Sequence, residues 1–151
     1  DRHNVIFVRR IVEHLPVIPS NPLTAASLDG RQWVNDLSGP AHRRALALGT
    51  IVNAPMSLGW WEPASVLAGE AVRQAPDYFE SWNYLGVCHG NLGNAAARDQ
   101  RYDEAQRQWR AAVECFETVL KLAPNHAAAA KYLEATRQLL TLLREARTHP
   151  P

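Results

Sequence analysis

The side chains that usually carry catalysis or bind metals are present, but none stands in a catalytic or metal-binding motif. The six histidines show no HExxH or HxH spacing, so no metal site is predicted. The serines lack a GxSxG context, and no glycine-rich phosphate loop occurs. Asp103 and Glu104 are neighbours, but adjacent helical residues point in different directions and would not form an acid/base couple. We therefore expect neither a catalytic site nor a cofactor, with an enzyme using His89 or His42 as the alternative.

Two cysteines, Cys88 and Cys115, fall inside predicted helices and form no CxxC pattern. Cysteines in this context behave as small apolar side chains and are commonly buried. A disulfide would require their Cα atoms to lie within about 7 Å of each other. The sequence therefore predicts two buried thiols and leaves the disulfide open.

The 151 residues fit one domain, with 46% hydrophobic and 21% charged residues. The formal net charge is +1 and no basic stripe stands out, so nucleic acid is not an expected partner. The longest uncharged run, Ala45–Trp61, falls short of the roughly 20 apolar residues of a membrane span, and direct membrane contact is not expected. Cytoplasm and periplasm both stay open as compartments, and the alanine and arginine usage is compatible with a bacterial source.

Apolar residues recur at helical spacing along most of the chain, and strand-like alternation is almost absent. Residues 1–40 are expected to form one helix, Asp1–Leu15, and an irregular proline-rich segment that packs on the rest. Pro55 should end or kink the second helix near Asn53. The remaining predicted helices are Pro40–Asn53, Trp60–Gln74, Tyr78–Ala97, Gln100–Leu122 and His126–Thr148.

Two of these helices end in similar sequences, AVRQAPD and VLKLAPN, which indicates an internal repeat. One unit carries Trp82, Leu85, Gly86, Ala112, Phe116 and Pro124, and the preceding unit carries Gly59, Trp61, Ala64, Ala68 and Pro76. This pattern resembles the tetratricopeptide repeat (TPR). The resemblance implies an all-α fold of helical hairpins in a right-handed superhelical stack. Residues 41–76 would form the first repeat, 77–125 an elongated second repeat, and 126–148 a capping helix.

The second unit departs from the TPR pattern in its length. Gly86 and Ala112 stand 26 positions apart, an excess of 14 residues over the repeat. Because residues 94–107 contain no helix breaker, we expect two longer helices that turn near residues 98–101. This hairpin would project beyond its neighbours by about 10 Å. A disordered loop over residues 94–107 is the alternative.

TPR domains generally bind peptides or helices of partner proteins in a concave groove. The resemblance places the groove at Asn53, Met56, Asn83, Val87, Gly90, Asn91, Lys131 and Gln138. The basic residues with which some TPR domains clamp a carboxylate terminus are largely missing, so chaperone-tail binding is not expected. Trp60 is expected to lie partly exposed as an aromatic anchor for a partner, or else to pack against residues 16–39.

These features favour a non-catalytic scaffold that binds a protein or peptide. Two alternatives stay open. The chain could be the soluble TPR domain of a membrane-associated machine for envelope or polysaccharide assembly. It could also be a self-assembly module, a homo-oligomer in which the first helix or the long hairpin docks on another copy.

Overall fold

The computed structural model describes residues 40–148, which are helical apart from short turns and contain no strand. The all-α prediction is therefore confirmed for this part of the chain. The predicted helix Asp1–Leu15 and the proline-rich segment lie outside the described residues. The five helices are α1 (Ala41–Ser57), α2 (Trp61–Gln74), α3 (Phe79–Arg98), α4 (Tyr102–Leu122) and α5 (Ala127–Thr148).

Helix α1 continues through Pro55 to Ser57, so the prediction that it ends near Asn53 was wrong. Pro55 lacks the amide that would bond the Ile51 carbonyl, but only Met56 and Ser57 follow it in the helix, so little of α1 lies beyond the missing bond. The helix is terminated instead by Gly59, whose φ of 72° lies in the left-handed region. The Gly59 amide donates to the Met56 carbonyl and the Trp60 amide to the Pro55 carbonyl, the bonding pattern of a Schellman cap.

The turn between α2 and α3 is held by a tryptophan. The Nε1–H of Trp82 donates to the carbonyl oxygen of Pro76 at 2.8 Å, across the end of the first unit. The Tyr78 amide also donates to the carbonyl of Ala75, which is buried. A side chain near the start of α3 thus fixes the direction in which the chain leaves α2.

Helices α3 and α4 form an antiparallel hairpin that closes around Gly86 and Phe116. A Cβ built on Gly86 would lie 2.8 Å from Cε1 of Phe116, so the ring packs directly on the α3 backbone. Phe116 and Ala112 belong to one buried cluster, and Trp82 packs against it. Trp82, Gly86, Ala112 and Phe116, which the repeat pattern assigns to one unit, therefore come together.

The same packing of an aromatic ring on a glycine recurs two turns further along the hairpin. A Cβ on Gly93 would lie 2.5 Å from Nε1 of Trp109, and that Nε1–H donates to Oδ1 of Asn94 at 3.1 Å. Trp109 forms a buried cluster with Ala96 and Ala105. The 14 extra residues therefore add one further packing layer, and the alternative of a disordered loop over residues 94–107 was wrong.

The hairpin turns at residues 99–101, within the predicted span. Gln100 has a φ of 60°, unusual for a residue other than glycine. The Gln100 amide donates to the Ala97 carbonyl and the Arg101 amide to the Ala96 carbonyl, a second Schellman cap. Arg101 also forms ion pairs with Asp99 and Glu104, so charged side chains close the turn.

Helix α5 packs along α4 over most of its length, so the prediction that the hairpin projects beyond its neighbours was wrong on this side. Leu139, Leu140 and Leu143 pack against the cluster around Trp109, so the extra turns are covered on this side. At the other end of the helix, Ala129 and Leu133 join the Phe116 cluster. Arg137 Nη2 lies 2.7 Å from Glu117 Oε1 and links the two helices at the surface.

Helix α3 is the centre of this arrangement, because it contacts each of the other four described helices. Successive helices pack as neighbours, and α3 in addition touches α1 on one side and α5 on the other. Helix α3 is therefore a direct neighbour of both α1 and α5. Within residues 40–148, no helix is long and apolar enough to cross a bilayer.

Candidate partner-binding surface

Eight of the nine predicted binding residues lie on α1, α3 and α5, and α3 contacts both of the other two helices. A Cβ on Gly49 of α1 would lie 3.2 Å from Cε2 of Tyr84, so these two helices approach closely. The ring of Phe79 meets the ring of His126 at a centroid distance of 5.5 Å, which ties the start of α3 to the start of α5. We call the row of predicted residues on these helices the groove row. Its members are Asn53, Met56, Asn83, Val87, Gly90, Asn91, Lys131 and Gln138.

Helix α3 supplies the middle of the groove row. Asn83, Val87 and Asn91 follow one another at four-residue spacing, so they line one face of the helix, and all three are half-buried. Nδ2 of Asn91 donates to the Val87 carbonyl at 2.9 Å. A Cβ on Gly90 would meet no atom within 4 Å, so the surface beside Asn91 is open. Val87 also packs against the Phe116 cluster, so only part of its side chain faces outward.

Asn83 carries a buried acceptor without a partner. Its Oδ1 has no hydrogen bond, although the residue as a whole is only half-buried. A buried polar atom left unpaired costs about 1–3 kcal/mol, so a donor that reached this oxygen would be bound favourably.

Helix α1 supplies one wall of the groove row. Asn53 is exposed, and its Nδ2 donates to the Gly49 carbonyl at 3.2 Å. That bond uses one of the two amide hydrogens, so a further donor and the carbonyl oxygen remain on the same group. Met56 is half-buried and packs against the core cluster of α1 and α2, so it contributes to folding as well as to the surface.

Helix α5 supplies the opposite wall with two exposed polar residues. Lys131 and Gln138 lie two turns apart on the same face of the helix. Nε2 of Gln138 donates to Oε1 of Glu134 at 3.0 Å. The groove row therefore carries four carboxamides and a single formal charge, that of Lys131.

Trp60 is not part of the groove row. It lies in the turn between α1 and α2, where it is half-buried and acts as the N-cap residue of α2. Its neighbour Trp61 packs against the core cluster of α1 and α2, in agreement with the predicted core position. An aromatic anchor at Trp60 stays a prediction separate from the groove row.

His89 and His126 each have a structural partner. Nδ1 of His89 lies 2.7 Å from Oε1 of Gln108, which bridges α3 and α4 as expected for a hydrogen-bonded packing histidine. Nδ1 of His126 accepts from the Ala129 amide at 3.0 Å and caps the start of α5. Within residues 40–148, no three His, Cys, Asp or Glu side chains form a cluster that could hold a metal ion.

Both cysteines are free and buried. Burial, and to a lesser extent the nearby Cys115, raises the pKa of Cys88 to about 12. The pKa of Cys115 is also raised to about 12, mainly by burial and secondarily by Glu114. A thiol is nucleophilic only as the thiolate, so both side chains behave as core residues at neutral pH.

Comparison with known proteins adds no family. No protein-family model, no curated protein and no solved structure matches this chain.

Proposed function

We propose that this domain is a non-catalytic, TPR-like scaffold that holds a segment of another protein along the groove row. The observation that carries the proposal is the line of carboxamide and small side chains on α3, flanked by walls from α1 and α5. Half-buried polar groups beside an open helix surface are suited to pair with a main chain laid across them.

The side chains of the groove row indicate which kind of partner segment would bind there. A carboxamide offers both donors and an acceptor, so Asn53, Asn83 and Asn91 can pair with the amides and carbonyls of an extended chain. Val87 and Met56 offer small apolar contacts between them. Because Lys131 is the only charged member, the partner segment is expected to carry neutral polar or apolar side chains over the row and at most one acidic residue at the α5 wall.

The test begins with selection of peptides from a random library on the immobilised full-length chain. The affinities of the selected peptides are then measured against wild type, Asn83→Ala and Asn91→Ala. Each substitution removes hydrogen-bonding groups from the row, and we expect a loss of about tenfold in affinity from each.

Arg110→Ala is the matched control, because Arg110 is exposed on α4, away from the row. Its affinity for the peptides should equal that of wild type. Selected peptides that bind Asn83→Ala and Asn91→Ala as tightly as wild type would refute the groove assignment.

A further inference from the structure

Helix α5 carries a second apolar seam besides the one that it packs on α4. The seam that packs on α4 includes the buried Ala129 and Leu133 and the half-buried Leu140. A second line of apolar residues lies one position before these. Its members are spaced alternately by four and three residues, which is the heptad pattern of paired helices. We call it the outer seam; it consists of Ala128, Tyr132, Ala135, Leu139, Leu142 and Ala146.

The outer seam lies largely in solvent. Tyr132 is 44% exposed and Leu142 is 61% exposed, high values for large apolar side chains. Ala128, Ala135 and Ala146 are exposed, and Leu139 is half-buried. Small residues between larger ones let a second helix approach closely while the larger side chains fill the space between the two backbones. The outer seam is therefore shaped to pack against another helix.

The charges beside the outer seam favour a second copy of α5 in one orientation. Lys131 stands seven residues before Gln138 and Glu145 seven residues after it, all three on the same flank of the seam. If two copies of α5 pair antiparallel about an axis near Gln138, Lys131 of each copy faces Glu145 of the other. In a parallel pair this flank would instead lie against the opposite flank of the seam in the second copy, so Lys131 and Glu145 would not meet.

The apolar residues agree with the same arrangement. In this antiparallel register Tyr132 meets Leu142 of the second copy, Leu139 meets Ala135, and Ala128 meets Ala146. Leu139 then opposes a small residue, Tyr132 and Leu142 form the large apolar contact, and the alanines near the ends let the two helices approach closely. Gln138 falls at the axis, where its carboxamide can donate to and accept from its own copy. Glu145 also interacts within its own chain, and a carboxylate has acceptor sites for a second donor.

We infer that the outer seam of α5 is a dimer interface, in which two copies of this chain pair antiparallel about Gln138. This inference does not rest on the proposed groove function. The two compete for Lys131 and Gln138, so a dimer would cover the α5 wall of the groove row.

The first test is the molar mass of the full chain by light scattering and sedimentation over a wide range of concentration. We expect a monomer–dimer equilibrium, and a monomer at every concentration would overturn the inference. Leu142→Glu should weaken the dimer at least about tenfold, because it puts a charge into the seam. Leu58→Glu is the matched control, since Leu58 is 62% exposed in the turn after α1. It should dimerise like wild type, and equal dissociation by both variants would indicate unspecific association and overturn the inference.

The second test reverses charges. Lys131→Glu and Glu145→Lys should each weaken the homodimer, because each sets like charges against each other twice across the axis. An equimolar mixture of the two variants should restore dimers, since every facing pair is then of opposite charge. Failure of the mixture to restore dimers would refute the antiparallel register. The groove variants Asn83→Ala and Asn91→Ala should dimerise as wild type does, so the two proposals can fail independently.

Discussion

Gly93 and Gly90 stand one helical turn apart on α3 but have different surroundings. A Cβ on Gly93 would meet the near edge of the buried Trp109 ring, whereas a Cβ on Gly90 would meet nothing within 4 Å. Gly93→Ala should therefore lower the free energy of unfolding by about 1–3 kcal/mol through overpacking. Gly90→Ala should raise it by roughly 0.5–1 kcal/mol, because alanine is the better helix former.

Urea unfolding of the two variants of the full chain measures this difference directly. Gly86→Ala should behave like Gly93→Ala, because Phe116 occupies the equivalent space. Shifts of Gly93→Ala and Gly90→Ala in the same direction would contradict the close packing of α3 on α4.

The buried thiols make a pH-dependent prediction. In the unfolded chain the cysteines ionise near their ordinary pKa of 9.0, whereas in the folded protein the pKa of both is about 12. Between these values the unfolded state has lost protons that the folded state retains, so the free energy of unfolding should fall as pH rises from 9.0 to about 12. Below pH 9.0 the thiols contribute no such slope.

Urea midpoints across this pH range, for wild type and for the Cys88→Ala/Cys115→Ala double variant, isolate the contribution of the thiols. The double variant should show the shallower decline. Iodoacetamide should leave the native thiols unmodified at neutral pH and alkylate them in urea. Equal slopes, or rapid alkylation of the native protein, would show that the thiols are accessible.

At the scale of single residues, the sequence predicted the Gly86–Phe116 contact but missed the Gly93–Trp109 contact. The repeat pattern contains one glycine in this helix, so it assigned no packing role to Gly93. The spacing carried the signal, because Gly93 follows Gly86 by seven residues and Trp109 precedes Phe116 by seven. In antiparallel helices, equal shifts in opposite directions keep two residues opposite each other.

At the scale of elements, helix positions followed from periodicity, and the starts and ends of α2 to α5 differ from prediction by at most two residues. The end of α1 was misjudged because Pro55 was given more weight than Gly59, whose left-handed backbone provides the actual stop. The packing of α5 on the long hairpin was also not predicted. It depends on the length of α5 relative to α4, and the repeat pattern does not encode that relation.

The long hairpin and the second half of α5 should be coupled through Trp109. Trp109→Leu leaves a cavity and removes the donor to Asn94, which should cost roughly 2–4 kcal/mol. Because Leu139, Leu140 and Leu143 pack on this cluster, their amides should lose protection in hydrogen exchange more than those near Leu133.

Phe116→Leu is the comparison variant, since Phe116 lies in the cluster that contains Ala129 and Leu133. It should loosen the first half of α5 more than the second. A uniform loss of protection along α5 in both variants would indicate that the helix unfolds as one unit, without separate layers.

At the scale of the whole molecule, the resemblance predicted stacked helical hairpins and the residues of the groove row, but not the outer seam of α5. The groove row and the outer seam both follow from which side of α3 and α5 is left uncovered, and that depends on all five helices together. Both surfaces include Lys131 and Gln138, so dimerisation should reduce peptide binding if the two proposals hold together. Leu142→Glu should then bind selected peptides at least as tightly as wild type does.

The most direct test of the account is a titration of the ¹⁵N-labelled full chain with a selected peptide, followed through the side-chain amide signals in the NMR spectrum. Binding in the groove row predicts the largest shifts for the carboxamides of Asn53, Asn83 and Asn91. The amide of Gln106 on α4 should stay unchanged. Shifts confined to α2, α4 or the turn at residues 99–101, with these three asparagine signals unmoved, would contradict the account.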